Sequence, residues 1–334
     1  MAATIKDIAK KVGVSPSTVS RVINGTASIS EETKRKIHQA MKELDYHPNS
    51  FARSLVNGNT FIIGLVIDAG NSDSFSNAFF VRSVSAIETV AQTKGYNVLI
   101  TNDSSSENNN AVKNLVLERK VDGIILPVQC MTQELVELML NHQIPFVVMG
   151  EPEQHNQKIF WIDMDNAEGA RLAVEHLLSQ NYKCPILLAE SQETIFEKKR
   201  SAGYIEVCRR HQIAHPMVFA CDSDEKVRVL TEQIASGAVQ ADSVICANNI
   251  IAFKVLRALK NKGINVPESI GIIAFDNYPL AEYLEPALSV VDIDTYKLGE
   301  QAANILFGQI RDKQVTPSSA LIPTQIIARE STGK

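Results

Sequence analysis

The sequence predicts an α/β chain: an N-terminal all-α helix-turn-helix head, then two doubly wound parallel-sheet lobes. Residues 4–44 carry three short amphipathic helical patterns, the first two separated by a tight turn at Gly13. From Phe61 onward, apolar runs of strand length alternate with helical patterns, as parallel sheets require. Charge divides the same way: residues 1–60 hold nine Lys/Arg against five acids, and the remainder carries a net −9. A basic head on an acidic body points to a polyanionic partner at one end. At 334 residues, several cores are expected.

Thr4-Ile5-Lys6-Asp7 has the form of a capping box, with Asp7 in the acceptor position. Ile5, Ile8, Ala9 and Val12 form one apolar stripe of a first helix that Gly13 ends. Ser15 is an N-cap and Pro16 suits the first helical position of the second helix. Val19, Val22 and Ile23 face its core, leaving Ser17, Thr18, Ser20 and Arg21 on the outer face. Small hydroxyls beside one guanidinium fork suit phosphates and base edges in a major groove, although the same pattern alone also fits a surface helix. A third helix runs from Ser30 to about Leu44, with Glu31 and Glu32 at its positive end.

The stretch Asn49–Gly58 spells a helix of about two turns, too short to persist undocked. Leu55 within it has the character of a minor-groove wedge, against the alternative of a plain linker. Strands are expected at 61–67, 97–101, 123–128, 146–149, 158–162, 185–189, 243–247 and 270–275. Helices are expected at 79–94, 107–120, 132–142, 166–180, 197–212, 225–236, 249–262 and 296–311. Ligands of such sheets sit beyond the strand C-termini, so a cleft between the lobes is the expected site. The five cysteines form no CxxC pair and read as reduced thiols. No apolar run spans a membrane and residues 1–30 lack a signal-peptide core, so a cytoplasmic protein without membrane contact is expected.

The chain resembles the lactose/galactose-repressor family of bacterial transcription regulators along essentially its whole length. Thr4–Ala9, Val14-Ser15 and Thr18–Gly25 resemble the DNA-binding signature, and Tyr46–Asn49 with Ala52–Leu55 the hinge. Ile63–Leu65, Asn77–Phe80, Val121–Ile125, Val174–Leu177, Arg200–Tyr204 and Ile273–Asn277 follow in the family's order. The resemblance implies a periplasmic-binding-protein-like core and a homodimer on a near-palindromic operator, with a small sugar or sugar-phosphate effector. Its domains would be a head at 1–48, a hinge at 49–59 and a core at 60–334. The core's N-lobe would hold about 60–161 and 293–320, its C-lobe about 162–292 and 321–334, with crossovers near 161–163, 291–294 and 319–322. Thr4, Ser15, Ser17, Thr18, Ser20, Arg21 and Asn24 would meet DNA from the head. Asn49, Ala52, Arg53 and Leu55 would meet it from the hinge. Arg200, Asn248 and Asp276 match polar effector contacts, with Phe79 and Phe80 beside the pocket; Trp161 either lines the cleft or packs at a crossover.

Within the family the hinge and the Asn-rich 102–110 stretch look most like Gram-positive maltose-operon repressors, implying a maltose or maltodextrin effector. There are departures. Asn249 stands where many members have Asp, and Cys221–Asp224 replaces the segment where some place an aromatic. No Leu heptad follows the last strand, which opposes a tail-mediated tetramer. A global carbon-catabolite regulator with a phosphoprotein corepressor, and a sugar-binding protein without a regulatory role, remain alternatives. No Walker A, GxGxxG, HExxH or GxSxG motif suggests an enzyme, so no catalytic residue and no cofactor is expected. His211 and His215 lack a third ligand, so no metal is expected either.

Overall fold

The computed structural model describes residues 3–24, 29–46, 58–68, 78–102, 111–153, 159–191, 193–312 and 318–333. The head is built from α1 (Ile5–Val12), α2 (Pro16–Asn24) and α3 (Glu31–Glu43). The Asp7 carboxylate accepts from the Thr4 N–H at 2.9 Å and the Thr4 hydroxyl at 2.7 Å, closing the start of α1. Gly13 stops α1 at φ +76°, a left-handed turn that a Cβ would strain. Ser15 Oγ then accepts from the Thr18 N–H at 3.1 Å, and Ser30 Oγ from that of Thr33 at 3.3 Å, so both later helices begin on the expected hydroxyls. Ile8, Ala9, Val19, Ile37 and Ala40 form the shared buried core, flanked by Ile5, Val14, Val22, Met41 and Leu44.

Beyond the head lie two six-stranded sheets. The first contains β1 (Ile62–Ile67), β2 (Asn97–Asn102), β3 (Gly123–Pro127), β4 (Phe146–Met149) and β5 (Phe160–Met164), and it is closed by β11 (Ser319–Ile322). Their order is β11-β5-β4-β3-β1-β2, all parallel. One face packs on α4 (Ala78–Thr93) and α11 (Thr295–Arg311), the other on α5 (Ala111–Leu117) and α6 (Gln133–Asn141).

The second sheet contains β6 (Pro185–Ala189), β7 (Val218–Ala220), β8 (Ser243–Cys246), β9 (Gly271–Phe275), β10 (Ser289–Ile293) and β12 (Thr324–Ile327). Its order is β12-β10-β9-β8-β6-β7, with β12 antiparallel to β10. The covering helices are α7 (Asn166–Ser179) and α8 (Ile195–Arg210) on one face, α9 (Asp224–Ala235) and α10 (Asn249–Asn261) on the other. Both sheets reverse direction beside their first strand, so each has a switch point: between β1 and β3, and between β6 and β8.

The chain crosses from sheet to sheet at Asp165, Asp294 and Pro323. The first and third crossings fall just beyond 161–163 and 319–322, because β5 pairs on through Met149↔Ile162 and β11 through Ile322↔Met164. Asp165 and Asp294 each accept a backbone N–H, from Glu168 at 2.9 Å and Lys297 at 3.0 Å, so each crossing ends in a capped helix. Strands β7, β10, β11 and β12 have no counterpart among the expected strands. Among the described residues, no helix is long and apolar enough to cross a membrane.

Candidate functional site

The first candidate surface is α2. Ser15, Ser17 and Thr18 form a hydroxyl cluster, with Ser15 Oγ 2.7 Å from Ser17 Oγ and 2.8 Å from Thr18 Oγ1. Ser17 and Arg21 are exposed, Thr18 and Ser20 half-buried, and Val19 is buried beneath them. The helix therefore presents a short polar edge pre-ordered by its own cap, followed one turn later by a guanidinium. Thr4 is exposed at the start of α1, its hydroxyl committed to Asp7. Asn24 closes α2, and its side chain lies outside the described residues, as do Asn49, Ala52, Arg53 and Leu55.

The second lies between the lobes, at the C-terminal ends of β6, β8 and β9. Arg200, on α8, is 5% exposed. Its Nε donates to Asn166 Oδ1 at 2.9 Å, its Nη1 to the Ala247 carbonyl at 2.7 Å, and its Nη2 lies 3.4 Å from Met164 Sδ. The guanidinium sits 3.8 Å above the Phe275 ring, with the Phe196 ring at 5.1 Å. It thus ties the first crossing, at Met164 and Asn166, to the switch point of the second sheet.

Burial pushes Asp276 well above the ordinary carboxylate range, while Arg200 pulls it back down and Asp292 adds to the rise. Burial likewise raises Asp163, against hydrogen bonds from the Met164 and Glu151 N–H groups. Glu197 is 2% exposed; burial works against its charge, but the hydroxyls of Ser191 and Thr194 and the N–H groups of Glu190 and Ser191 outweigh it and lower its pKa. Glu197 thereby fixes the loop after β6. Tyr278 is pushed up to about 12, by burial first and then by Asp276 and Glu190.

Asp276 also borders a cavity of about 50 Å³ with Arg82, Asn277, Tyr278, Pro279, Ile293 and Thr295. Asp276 Oδ1 and Thr295 Oγ1 are buried without a hydrogen-bond partner among the described residues. Two residues that line this one small cavity thus carry unsatisfied polar atoms, which marks the spot as polar. The Asp276 carboxylate makes the site costly at neutral pH. With its folded pKa raised, the group stabilises below its unfolded pKa and loses that contribution as pH rises through the folded value. Asp276→Asn should therefore raise the melting temperature at pH 8 and give little change near pH 4. An equal shift at both pH values would refute this.

Of the expected effector residues, Arg200, Asp276 and Asn248 meet here. Asn248 caps α10 by accepting from the Ile251 N–H at 2.8 Å, and its Nδ2 reaches Glu190 at 3.3 Å. Phe80 is half-buried on α4; the side chain of Phe79 lies outside the described residues. Trp161 is half-buried and packs against the apolar cluster under α5 and α6. Asp163, Asn166, Glu197, Thr295 and Arg82 escaped sequence reading; Asp163-x-Asp165-Asn166, polar residues crowding a strand end, was the available signal. His211 pairs with Glu175 at 3.0 Å. At Cys221–Asp224, Ser223 caps α9 and Asp222 pairs with Lys226 at 2.6 Å.

Two family descriptions match the chain in order: bacterial regulatory proteins of the lacI family at residues 4–49, and a periplasmic binding protein-like domain at 174–332. The ribose operon repressor of Halalkalibacterium halodurans is 31% identical over 330 residues, covering 98% of this chain and 97% of that one. The transcriptional regulator MalR of Streptococcus pneumoniae serotype 4 is 30% identical over 322 residues, 94% of each chain. The solved lac repressor dimer bound to operator and the anti-inducer ONPF superposes with a TM-score of 0.79 at 25% identity, covering 99% of both chains. A helix-turn-helix head, two switch-point sheets crossed three times and relatives alike from end to end lead to one conclusion: this chain is a DNA-binding transcriptional regulator of the lacI family.

Proposed function

We propose that the chain is a cytoplasmic, dimeric repressor that leaves a near-palindromic operator when a small sugar of the maltose or maltodextrin type enters the interlobe cleft. The observation that carries the effector half is the meeting of Arg200 and Asp276 at the switch point, beside a cavity with two orphaned polar atoms. Hydroxyl groups satisfy such atoms, and an aromatic face supports the apolar side of a sugar ring. Arg200 already donates to Asn166 and Ala247, among Asp163, Glu197 and Asp276. That surplus of carboxylates favours an uncharged, hydroxyl-rich ligand over a sugar phosphate.

The relatives support the class of effector more than its identity, since one named for ribose is as similar as the MalR regulator. The lac repressor structure, bound to operator as a dimer, supports the DNA half. In this reading Ser17, Thr18 and Arg21 address the half-site, and Asn49 to Leu55 form a hinge with Leu55 at the central base step. Dimerisation is supported by large apolar side chains exposed on the second lobe: Tyr283 is 80% exposed, and Leu280, Ile250 and Val229 are exposed as well.

The test is calorimetry with maltose, maltotriose, ribose and glucose 6-phosphate, followed by operator release with each binder. Maltose or maltotriose should bind and release DNA, and glucose 6-phosphate should not bind. Binding by none of the neutral sugars would overturn the effector reading.

A further inference from the structure

Two consecutive asparagines open α10 and turn in opposite directions. Asn248 faces the cleft at Glu190, whereas Asn249 is fully buried. Its Nδ2 donates to the Phe275 carbonyl at 2.7 Å and to the Asp276 carbonyl at 2.5 Å. These are the last residue of β9 and the first beyond it. Asp276 there adopts φ +71°, the left-handed region that a side chain with a Cβ rarely enters without outside support. Its own N–H donates to the Val291 carbonyl at 3.1 Å. The Asp276 backbone is therefore gripped from β10 on one side and by the Asn249 amide on the other.

We propose that Asn249 is a positioning residue of the effector site: its side-chain amide locks the Phe275–Asp276 backbone so that the Asp276 carboxylate faces Arg200 and the small cavity. The same lock sets the Phe275 ring on which the Arg200 guanidinium lies. This rests on the reading of Asp276 as an effector contact. Two carbonyl oxygens demand a donor, and the amide supplies both hydrogens from one nitrogen.

Asn249→Leu, Asp276→Asn, the double variant and the wild type are titrated with maltose. Asn249→Leu should bind about tenfold to hundredfold more weakly than wild type, since two buried carbonyls lose their donor. Because Asn249 acts through Asp276, the double variant should bind no more weakly than Asp276→Asn alone, whereas a merely structural role would add its own loss. If Asn249→Leu binds maltose like wild type while Asp276→Asn does not, or if the two losses add, the positioning role is wrong and the effector site stands. If maltose fails to bind wild type, or binds Asp276→Asn equally well, the effector reading has failed and sugar-free hydrogen exchange decides. Faster exchange of the Asp276 and Asn277 amides in Asn249→Leu upholds the lock, and unchanged exchange overturns it.

Discussion

Arg200→Leu should abolish the response to maltose while leaving operator binding intact, giving a repressor that sugar no longer releases. The guanidinium holds Asn166 and Ala247, lies on Phe275, and balances Asp276, Asp163 and Glu197. Removing one partner of such a buried charge cluster costs about 3–5 kcal/mol, because the opposite charges stay buried without compensation. The melting temperature should accordingly fall by on the order of 10 °C. The contacts of Arg200 lie at the first crossing and on the second sheet, so DNA affinity should survive. Calorimetry with maltose and operator retention in its presence check both halves. Arg200→Lys keeps the charge without the fork; it should melt nearer to wild type and still lose the response. Sugar-driven release by either variant would remove Arg200 from the effector site.

Ile37→Ala should have the opposite signature: operator binding lost, maltose binding kept. Ile37 is fully buried in the core shared by α1, α2 and α3, which has five buried side chains among the described residues. Truncating it to alanine costs about 2–5 kcal/mol. A unit of this size has little stability to spare, so that loss rivals the whole stability of the head. The two sheets have cores of their own and should be untouched. Two melting transitions with the lower one gone, operator affinity at the non-specific level and an unchanged maltose isotherm form the expected result. Retained specific operator binding would show that the head is held by more than this core.

The outcomes differ because the two sites are legible in different ways. The head could be read almost residue by residue. Thr4, Gly13, Ser15 and Ser30 are start and stop signals whose hydrogen bonds reach three or four residues, so local sequence suffices to place them. Most core elements were equally visible, since parallel strands buried on both faces read as continuous apolar runs such as Ile124–Leu126 and Ile272–Phe275. The strands that escaped are explicable. β7 has three half-buried residues, β11 exposes two of its four, and β12 is an antiparallel strand only partly buried. β10 reads Ser-Val-Val-Asp-Ile, a run in which its place in the sheet is hidden by polar ends.

The proposed effector site was legible only in part. Arg200, Asn248 and Asp276 stand out as polar residues beside apolar strands, and the fold gathers them at one switch point. Trp161 has equal prominence in sequence, but its place in β5 turns it toward α5 and α6. Asn249 shows in sequence only as a departure from the family, and its partner, the Phe275 carbonyl 26 residues away, is found only in the fold.

Local sequence carries the helices and most of the strands, the caps of the helix-turn-helix, and the division into basic head and acidic body. Those properties follow from short-range hydrogen bonding and from the periodicity of burial, which neighbouring residues dictate. Only the tertiary structure decided which polar residues share an environment. Strand order and the three crossings bring Arg200 against Ala247, Phe275 and Asp276, and so raise the Asp276 pKa and open a polar cavity beside it. Desolvation and long-range charge depend on what packs nearby, and no local pattern carries that information.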